Sequence, residues 1–402
     1  MLLKSKELTM KRCLIIGGQN PRNFGSLMLV ENYINYSYFD EYGILCNSIS
    51  DVKDIYLDVI QEKKINFHEY KKKSGIKNKL YLLKGLISNN FNDDNFQDII
   101  RNYDKIVFLG GDDLSEDYGI GGLIYQTMFL YKGKRNKKEV YVCGQTIGPF
   151  KSWRKQYMKK ILNKVDLITS RDPVSFKYLK EDLNCNNVKL TADLAFLELK
   201  SKSKQNYNLK EEFIAFCPSS IVWKYAKESN YSEYVKYWVN LAKQCITMGY
   251  KVIIVPHVRD GYSGDIEISN VIFNNLTDDV NYKDKIELIK NLELPIDARE
   301  IFKKSKFVIT GRMHPAISTL SVKKPVIAIS YSIKYMGVIG DYMDLNDYII
   351  DVRDLEWDMI NNNTVSKINN LIYNYDNELK KINDKLEFIK EKSLENFEKG
   401  EN

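Results

Sequence analysis

The chain has 402 residues, of which 44% are hydrophobic and 28% are charged, a composition typical of a globular protein and one that excludes general disorder. The 60 Lys and Arg residues against 53 Asp and Glu give a formal charge of +7, which is too mild to indicate nucleic-acid binding. No apolar run approaches the ~18 residues of a membrane span, and the length predicts two or three domains.

The N-terminal end of the chain predicts a tail and then a strand. Residues 1–9 are interpreted as a tail, because they lack the apolar stretch and cleavage site of a signal peptide. Residues 13–16 form an apolar run that predicts a buried parallel strand, and a helix is predicted after it. A glycine turn between a strand and a helix favours anions, although a purely structural turn is equally expected. Asn23 and Gly25 lie in this turn and are candidate cleft residues.

One architecture occurs twice along the chain. Lys105 and Lys306 each open a strand-like run that ends in glycine and is followed by a helix, a basic turn and another strand. Such alternation predicts α/β domains with parallel sheets, here two Rossmann-like, doubly wound domains that face each other across a cleft. The expected parts are a tail (1–9), an N-terminal Rossmann-like domain (10–203), a C-terminal Rossmann-like domain (204–360) and a C-terminal helix (361–402).

The C-terminal segment has a different pattern. From Ser366 to Ile389, apolar residues recur at spacings of four and three, which predicts a long helix with a heptad seam. The seam has two candidate partners. Packing on the chain's own domains is favoured because three heptads are short for a free coiled coil, and a coiled-coil homodimer is the alternative.

An acidic loop follows the predicted strand that starts at Lys105. It contains Gly110, Gly111, Asp112 and Asp113. Glycines let a ligand approach the backbone, and the carboxylates could hold sugar hydroxyls, bind a metal ion or act as a base. The alternative is a solvated loop whose aspartates cap the next helix.

Two further strand ends carry polar candidates. Gln145 and Thr146 are neutral hydrogen-bonding residues that follow one predicted strand. Arg171 follows the next strand and stands beside a helix start, where an arginine can clamp a phosphate or a carboxylate. A structural ion pair between Arg171 and Asp172 is equally expected, and either Ser170 or Asp172 can cap the helix.

The histidines give the clearest candidates. Arg312 and His314 stand two positions apart between a strand end and a helix start. The helix terminus lowers a histidine pKa and a bound anion raises it, which suits an acid that holds its proton only beside an anionic substrate. His257 follows another strand and is the second candidate, while His68 lies in a charged stretch and is expected at the surface. Ser330, at a later strand end, is a further cleft candidate.

These motifs, in the order GGDD, QTIGP, SRDxxS, DLAF at residues 193–196 and GRMH, resemble those of the polysaccharide pyruvyl transferase family. The resemblance runs from about Met10 to Gly340. It implies a GT-B-like pair of domains that moves a pyruvyl group from phosphoenolpyruvate to a sugar, usually as a cyclic ketal. The sugar would belong to a cell-surface polysaccharide or its lipid-linked precursor. The chain departs from the family pattern after Asn23, where the family often has Asn-x-Gly-Asp, and at Asp112, where a third glycine is common.

The resemblance also implies roles for particular residues. It assigns Arg312 and Arg171 to the two anionic groups of the donor, and His314 to protonation of its methylene carbon. Asp113 or its neighbour Asp112 would take the acceptor hydroxyl. No metal or cofactor is expected, because protonation activates the donor. The acceptor or cleft candidates are Asn23, Gly25, Gly110, Gly111, Asp112, Gln145, Thr146, His257 and Ser330.

Two other functions stay open at this stage. A GT-B glycosyltransferase that uses a nucleotide sugar would share the architecture and the cleft. A non-catalytic carbohydrate-binding relative would be expected to lose the arginine and histidine pair at 312 and 314, which this chain retains.

Cysteines and lysines bear on the location of the protein. Six scattered cysteines without a CxxC pair indicate reduced thiols, so a cytoplasmic location is expected. Basic clusters at 71–73, 134–135 and 137–138 could contact anionic lipid at the inner face of a membrane. A solvated surface is the more common role of such clusters.

Overall fold

A computed structural model describes residues 10–18, 20–70, 85, 94–116, 119–260 and 264–397. The predicted tail at 1–9 and the basic cluster at 71–73 lie outside these residues.

The first domain is built on a parallel sheet. Its strands are β1 (Arg12–Ile16), β2 (Glu41–Cys46), β3 (Ile65–Glu69), β4 (Lys105–Leu109), β5 (Glu139–Gln145), β6 (Leu167–Ser170) and β7 (Val188–Leu190). They lie in the order β3-β2-β1-β4-β5-β6-β7. The central strands are continuous apolar runs because helices cover both faces of the sheet. The order reverses between β1 and β4, the place where open α/β sheets bind ligands.

Helices cover the first sheet and connect its strands. They are α1 (Phe24–Tyr36), α2 (Ile49–Val59), α3 (Asp94–Arg101), α4 (Ile120–Arg135), α5 (Trp153–Leu162) and α6 (Pro173–Lys177). The helix predicted after the first strand is confirmed as α1, and Asn23 caps it by accepting a 3.0 Å hydrogen bond from the Gly25 amide.

The second domain repeats this organisation. Its strands are β8 (Phe213–Cys217), β9 (Lys251–Ile254), β10 (Ile286–Leu288), β11 (Val308–Thr310), β12 (Val326–Ser330) and β13 (Ile349–Asp351), and its helices are α7 (Tyr231–Thr247), α8 (Ile266–Thr277), α9 (Pro295–Lys304) and α10 (Met313–Ser321). The parallel order β10-β9-β8-β11-β12-β13 reverses between β8 and β11. The predicted fold class is therefore confirmed. The predicted domain boundary at 203/204 falls in the connection between β7 and β8.

Helix α1 joins the two domains. Ten of its thirteen residues are buried, which means that protein covers it on nearly every side. One hydrophobic core runs from one face of the first sheet through α1 into the second domain, and another core covers the opposite face of that sheet. Asn32 on α1 donates a 2.8 Å hydrogen bond to the Leu194 carbonyl, and Arg299 on α9 donates to the carbonyls of Ala195 and Leu197.

The C-terminal segment consists of two helices, not one. They are α11 (Trp357–Tyr373) and α12 (Tyr375–Leu394), and Asn374 separates them. The seam residues Ile382, Leu386 and Ile389 are buried in the same core as the two domains, which confirms packing on the chain's own domains. Homodimerisation stays a prediction.

Some smaller predictions are also decided by the structure. All six cysteines are buried, and none of them is in a disulfide. The surface position predicted for His68 is wrong, because this residue is half-buried in β3, with Nε2 2.5 Å from the Tyr103 hydroxyl. Its charged neighbour Glu69 belongs to the same edge strand, where charge is common. Within the described ranges, no helix is both long and apolar enough to cross a lipid bilayer.

Candidate active site

A cavity of about 370 Å³ lies between the carboxyl ends of the two sheets. Both domains supply side chains to it. The first domain contributes Asn23, Asp112, Asp113 and Arg171, and the second contributes His257, Arg312, His314, Tyr331 and Lys334. Most of the polar residues predicted from strand ends therefore meet at one place.

Arg171 follows β6 and forms the floor of the cavity. The side chain is fully buried, and its Nη1 lies 2.6 Å from the Asp193 Oδ2. Its Nε donates a 3.0 Å hydrogen bond to the Thr146 hydroxyl. Among the described residues, the buried Nη2 has no hydrogen-bond partner. An unpaired buried donor costs on the order of 1–3 kcal/mol, so this nitrogen is suited to receive a ligand oxygen.

The expected pairing of Arg171 with Asp172 is wrong. Asp172 instead accepts a 2.7 Å hydrogen bond from the Ser175 amide at the start of α6, which confirms the capping role, and a 2.9 Å bond from the Thr146 hydroxyl. The side chain that follows the arginine thus stabilises the helix, and the counter-ion comes from beyond β7.

Arg312 stands directly before α10 and is held by a different carboxylate. Its Nη2 lies 2.7 Å from the Asp265 Oδ1, and its Nε lies 3.2 Å from each Asp265 oxygen. Burial would lower the pKa of Arg312, but Asp265 outweighs this effect and raises it. Asp265 is itself fully buried and also accepts the backbone amides of Ser220 and Val258. Arg312 therefore lines the cavity with one edge of its guanidinium already fixed.

His314 is the second residue of α10 and packs on α1. An ideal Cβ on Gly25 would lie 2.2 Å from the His314 Nδ1, so the ring occupies space that only glycine leaves open. The Nε2 lies 4.0 Å from the Asp193 Oδ2 and has no hydrogen-bond partner among the described residues. Burial lowers the pKa of His314 to about 4, and the Asp193 carboxylate opposes this shift. At neutral pH the imidazole is therefore uncharged.

Lys334 and Asp112 form an ion pair across the cavity. The Lys334 Nζ lies 2.7 Å from the Asp112 Oδ2, and the two side chains are 9% and 13% exposed. The ammonium also lies 5.0 Å from the centre of the Tyr331 ring. Burial would lower the pKa of Lys334, but the Asp112 carboxylate outweighs it and raises the pKa. This pair joins the two domains at the rim of the cavity.

Asp113 lies beside this ion pair. An ideal Cβ on Gly110 would lie 2.2 Å from the Asp113 Oδ2, which explains the glycine at the end of β4. Burial and the neighbouring Asp112 charge raise the pKa of Asp113 to about 6. The carboxyl is therefore mostly ionised at neutral pH and remains basic enough to accept a proton.

His257 lies in the segment that follows β9 and contacts the start of α1 in the first domain. Its carbonyl accepts the Phe24 amide at 3.4 Å, and Val258 forms a bridge with Asn23. The ring is 2% exposed, and among the described residues its Nε2 has no hydrogen-bond partner. Burial, together with His314, Arg312 and Arg299, lowers the pKa of His257 well below its usual value. His257 thus offers a neutral nitrogen to the cavity.

Other predicted residues support the cavity from behind. Thr146 holds both Arg171 and Asp172, as described above. Gln145 is fully buried behind Gly110, with its Nε2 3.4 Å from the Phe108 carbonyl. Ser330 donates to the Ser332 carbonyl within its own turn. Neither Gln145 nor Ser330 lines the cavity.

The sequence interpretation gave no role to three residues of this site, although Asp193 lies in one of the motifs of the family resemblance. Lys334 stands four residues beyond Ser330 and resembles many other lysines, although its place after a strand end was a usable signal. Asp193 and Asp265 carry the counter-charges, but they lie 22 and 47 residues from the arginines they bind. Only the order of the strands brings each pair together.

Solved structures of other proteins share this architecture. Staphylococcus aureus MnaA in complex with UDP aligns with a TM-score of 0.59 at 13% identity, covering 94% of this chain and 91% of that one. UDP-GlcNAc 2-epimerase from Neisseria meningitidis, bound to UDP-GlcNAc, aligns with a TM-score of 0.59 at 12% identity, covering 96% and 97%. At these identities the likeness shows the fold alone, a GT-B-like pair of α/β domains.

Comparison of the sequence with known proteins identifies the family of this chain. The amylovoran biosynthesis protein AmsJ of Erwinia amylovora is 23% identical over 295 residues, which cover 70% of this chain and 68% of that protein. The sequence signature described as polysaccharide pyruvyl transferase matches residues 12–333. Since this match spans most of the chain and contains nearly every side chain of the cavity, the protein belongs to the polysaccharide pyruvyl transferase family.

Proposed function

We propose that the protein transfers a pyruvyl group from phosphoenolpyruvate to a sugar of a cell-surface polysaccharide or its lipid-linked precursor, forming a ketal. The observation that carries this proposal is the clustering of Arg171, Arg312 and Lys334 around the His314 imidazole in one cavity. Phosphoenolpyruvate has a phosphate and a carboxylate on one small skeleton, and cationic side chains recognise both groups.

The donor can displace one of the ion pairs of the cavity. Arg171 and Arg312 are each held by a carboxylate that is fully buried. Lys334 and Asp112, by contrast, both line the cavity. A bound phosphate or carboxylate would pair with Lys334 in place of Asp112. It would also accept a hydrogen bond from the unpaired Nη2 of Arg171. Asp112 would then hold a hydroxyl of the acceptor.

Donor binding would also prepare the acid. Negative charge beside His314 raises its pKa from about 4 and favours the imidazolium. The imidazolium gives its proton to the methylene carbon, C3, and the double-bond electrons form the new C–H bond. The central carbon, C2, becomes electrophilic.

The acceptor supplies two hydroxyl groups. The first attacks C2 and gives its proton to the Asp113 carboxylate. The C2–O bond to phosphate then breaks and phosphate leaves with the bonding electrons. The second hydroxyl attacks C2 and closes the ketal, and its proton passes to the departing phosphate. Asp113 then releases its proton, which replaces the one that His314 gave to C3, and the proton of the second hydroxyl leaves on the phosphate.

The basic clusters bear on the proposed location at a membrane and on the partners. The cluster that contains Lys134 is partly neutralised, because its Nζ lies 2.7 Å from Asp166. Contact with anionic lipid and a lipid-linked acceptor stay predictions. The absence of a metal requirement is also a prediction, resting on activation of the donor by protonation.

Thermal-shift titration tests the donor. Phosphoenolpyruvate is expected to raise the melting temperature, because a ligand at 100 times its Kd stabilises the folded state by about 2.7 kcal/mol. UDP-GlcNAc, tested at the same concentrations, is expected to give no shift. Stabilisation by the nucleotide sugar and not by phosphoenolpyruvate would contradict the proposal and favour a glycosyltransferase.

A further inference from the structure

The end of the C-terminal segment lies directly behind the active site. Asn396, two residues beyond α12, is 2% exposed. Its Oδ1 accepts hydrogen bonds from the hydroxyls of Thr169 at 2.5 Å and Thr191 at 2.9 Å. Its Nδ2 donates to the Ala192 carbonyl at 2.8 Å. One side chain therefore ties together two segments of the first domain.

Those two segments carry the ion pair at the floor of the cavity. Thr169 lies two residues before Arg171, and Thr191 lies two residues before Asp193. Strands β6 and β7 pair in parallel next to both. The Asn396 side chain, which does not line the cavity, links the ends of the two strands, and the 2.6 Å contact between Arg171 and Asp193 links them at the cavity.

A second contact holds the Asp193 backbone itself. The Ser393 hydroxyl donates a 2.8 Å hydrogen bond to the Asp193 carbonyl. The Ala192 amide donates to the Lys392 carbonyl at 3.2 Å. The last turn of α12 therefore fixes the backbone on both sides of the Ala192–Asp193 peptide.

We propose that Asn396, assisted by Ser393, is a positioning residue of the donor site, and that the C-terminal segment completes this site from outside the two domains. Asp193 Oδ2 lies 2.6 Å from Arg171 and 4.0 Å from His314. A shift of the loop that carries Asp193 therefore changes the direction of the arginine and the electrostatic environment of the histidine together. As a statement about phosphoenolpyruvate, this inference rests on the proposed function.

Calorimetric titration with phosphoenolpyruvate gives the first test. Asn396→Ala in the full chain is expected to weaken donor binding about 10- to 100-fold, because small displacements of binding groups have effects of this size. Asn377→Ala is the matched control, since Asn377 is an exposed asparagine of α12, and it should bind like the wild type. Thr191→Val removes only one of the hydrogen bonds of Asn396, together with a 3.3 Å contact to the Ser170 carbonyl, and it provides a milder variant if Asn396→Ala does not fold.

Histidine NMR gives a second test that does not need the donor. The chain has only three histidines, so the imidazole signals can be assigned with single His→Gln variants. Asn396→Ala or Thr191→Val should move the His314 signal and leave that of His68 in place. A lower melting temperature with an unchanged His314 signal would overturn the inference and leave a purely structural role. Failure of the wild type to bind phosphoenolpyruvate would overturn the proposed function, and the His314 signal would still decide the positioning role.

Discussion

The two arginines of the cavity have similar sequence surroundings and different structural positions. Arg171 and Arg312 each follow a parallel strand, and each pairs with a fully buried aspartate. Arg312 uses Nε and Nη2 on Asp265, and Nη2 also reaches Ser220 at 3.1 Å. Arg171 keeps Nη2 without a partner among the described residues. A strand end that carries arginine is therefore insufficient to identify a ligand clamp, because the distant counter-ion decides how much of the guanidinium remains available.

Because of this difference, the two domains contribute different groups to the cavity. The first domain supplies the available guanidinium nitrogen and the carboxylates Asp112 and Asp113. The second domain supplies the histidine, Lys334 and an arginine whose main partner is structural. The ligand is thus expected to be bound by both domains, with the proton donor coming from the second.

The largest expected effect tests whether the second domain supplies chemistry. His314→Ala should reduce pyruvyl transfer about 10²- to 10⁴-fold, the range lost with a general acid. Because the ring lies against Gly25 and its Nε2 has no hydrogen-bond partner in the described part of the chain, the melting temperature should change little. A coupled assay of phosphate release measures the rate of transfer, and calorimetry measures donor affinity. Together they distinguish loss of the acid from loss of donor binding.

The control for this prediction is another histidine. His68→Gln alters a residue in β3, at the edge of the first sheet, and should leave transfer unchanged. Equal activity of His314→Ala and the wild type would assign the proton to another group, with His257 as the next candidate.

The second prediction compares the arginines directly. Arg171→Lys retains a charge for Asp193 but loses the second nitrogen that faces the ligand, so the Kd for phosphoenolpyruvate should rise about 10- to 100-fold. Arg312→Lys loses the bidentate contact with Asp265, and its effect on the Kd should be smaller. If Arg312→Lys has the larger effect on the Kd, the assignment of structural and binding roles is reversed.

The strand ends could be predicted from the sequence, but the counter-ions of the two arginines could not. Strands, helices and the cleft followed from apolar runs and glycine turns, since these signals are local. His314, Asp112 and Arg171 were found because each stands within four residues of a strand end. Asp193 and Asp265 could not be assigned to their arginines, because pairing over tens of residues depends on strand order and register. Nor could the break at Asn374 be found in a continuous heptad pattern.

A glycine substitution tests the packing of the histidine. Gly25→Ala would place a Cβ 2.2 Å from the His314 ring, and overpacking of this kind costs about 1–3 kcal/mol. The ring must move, so the rate of pyruvyl transfer should fall even though the protein remains folded. Gly121→Ala is the matched control in α4, because no atom of the described residues lies within 4 Å of its ideal Cβ, and it should be neutral or slightly stabilising. Similar activity of the two variants would show that the ring position is not important.

The smallest expected effect is the uptake of less than one proton when the donor binds. In the free protein His314 has a pKa of about 4, so it is unprotonated at pH 7. A bound trianion raises this pKa, and the complex must therefore take a proton from the buffer. Donor affinity should consequently fall as the pH rises through the raised pKa of the complex.

Calorimetry in buffers of different ionisation enthalpy measures this uptake. Asp113, whose pKa is about 6, can contribute to it, because a nearby anion raises a carboxyl pKa as well. The same titration with His314→Ala separates the two groups, since only the histidine contribution disappears. If the wild type and His314→Ala take up the same number of protons, the imidazole stays neutral in the complex. The second domain would then contribute binding and not the acid, and the division of work between the domains would fail.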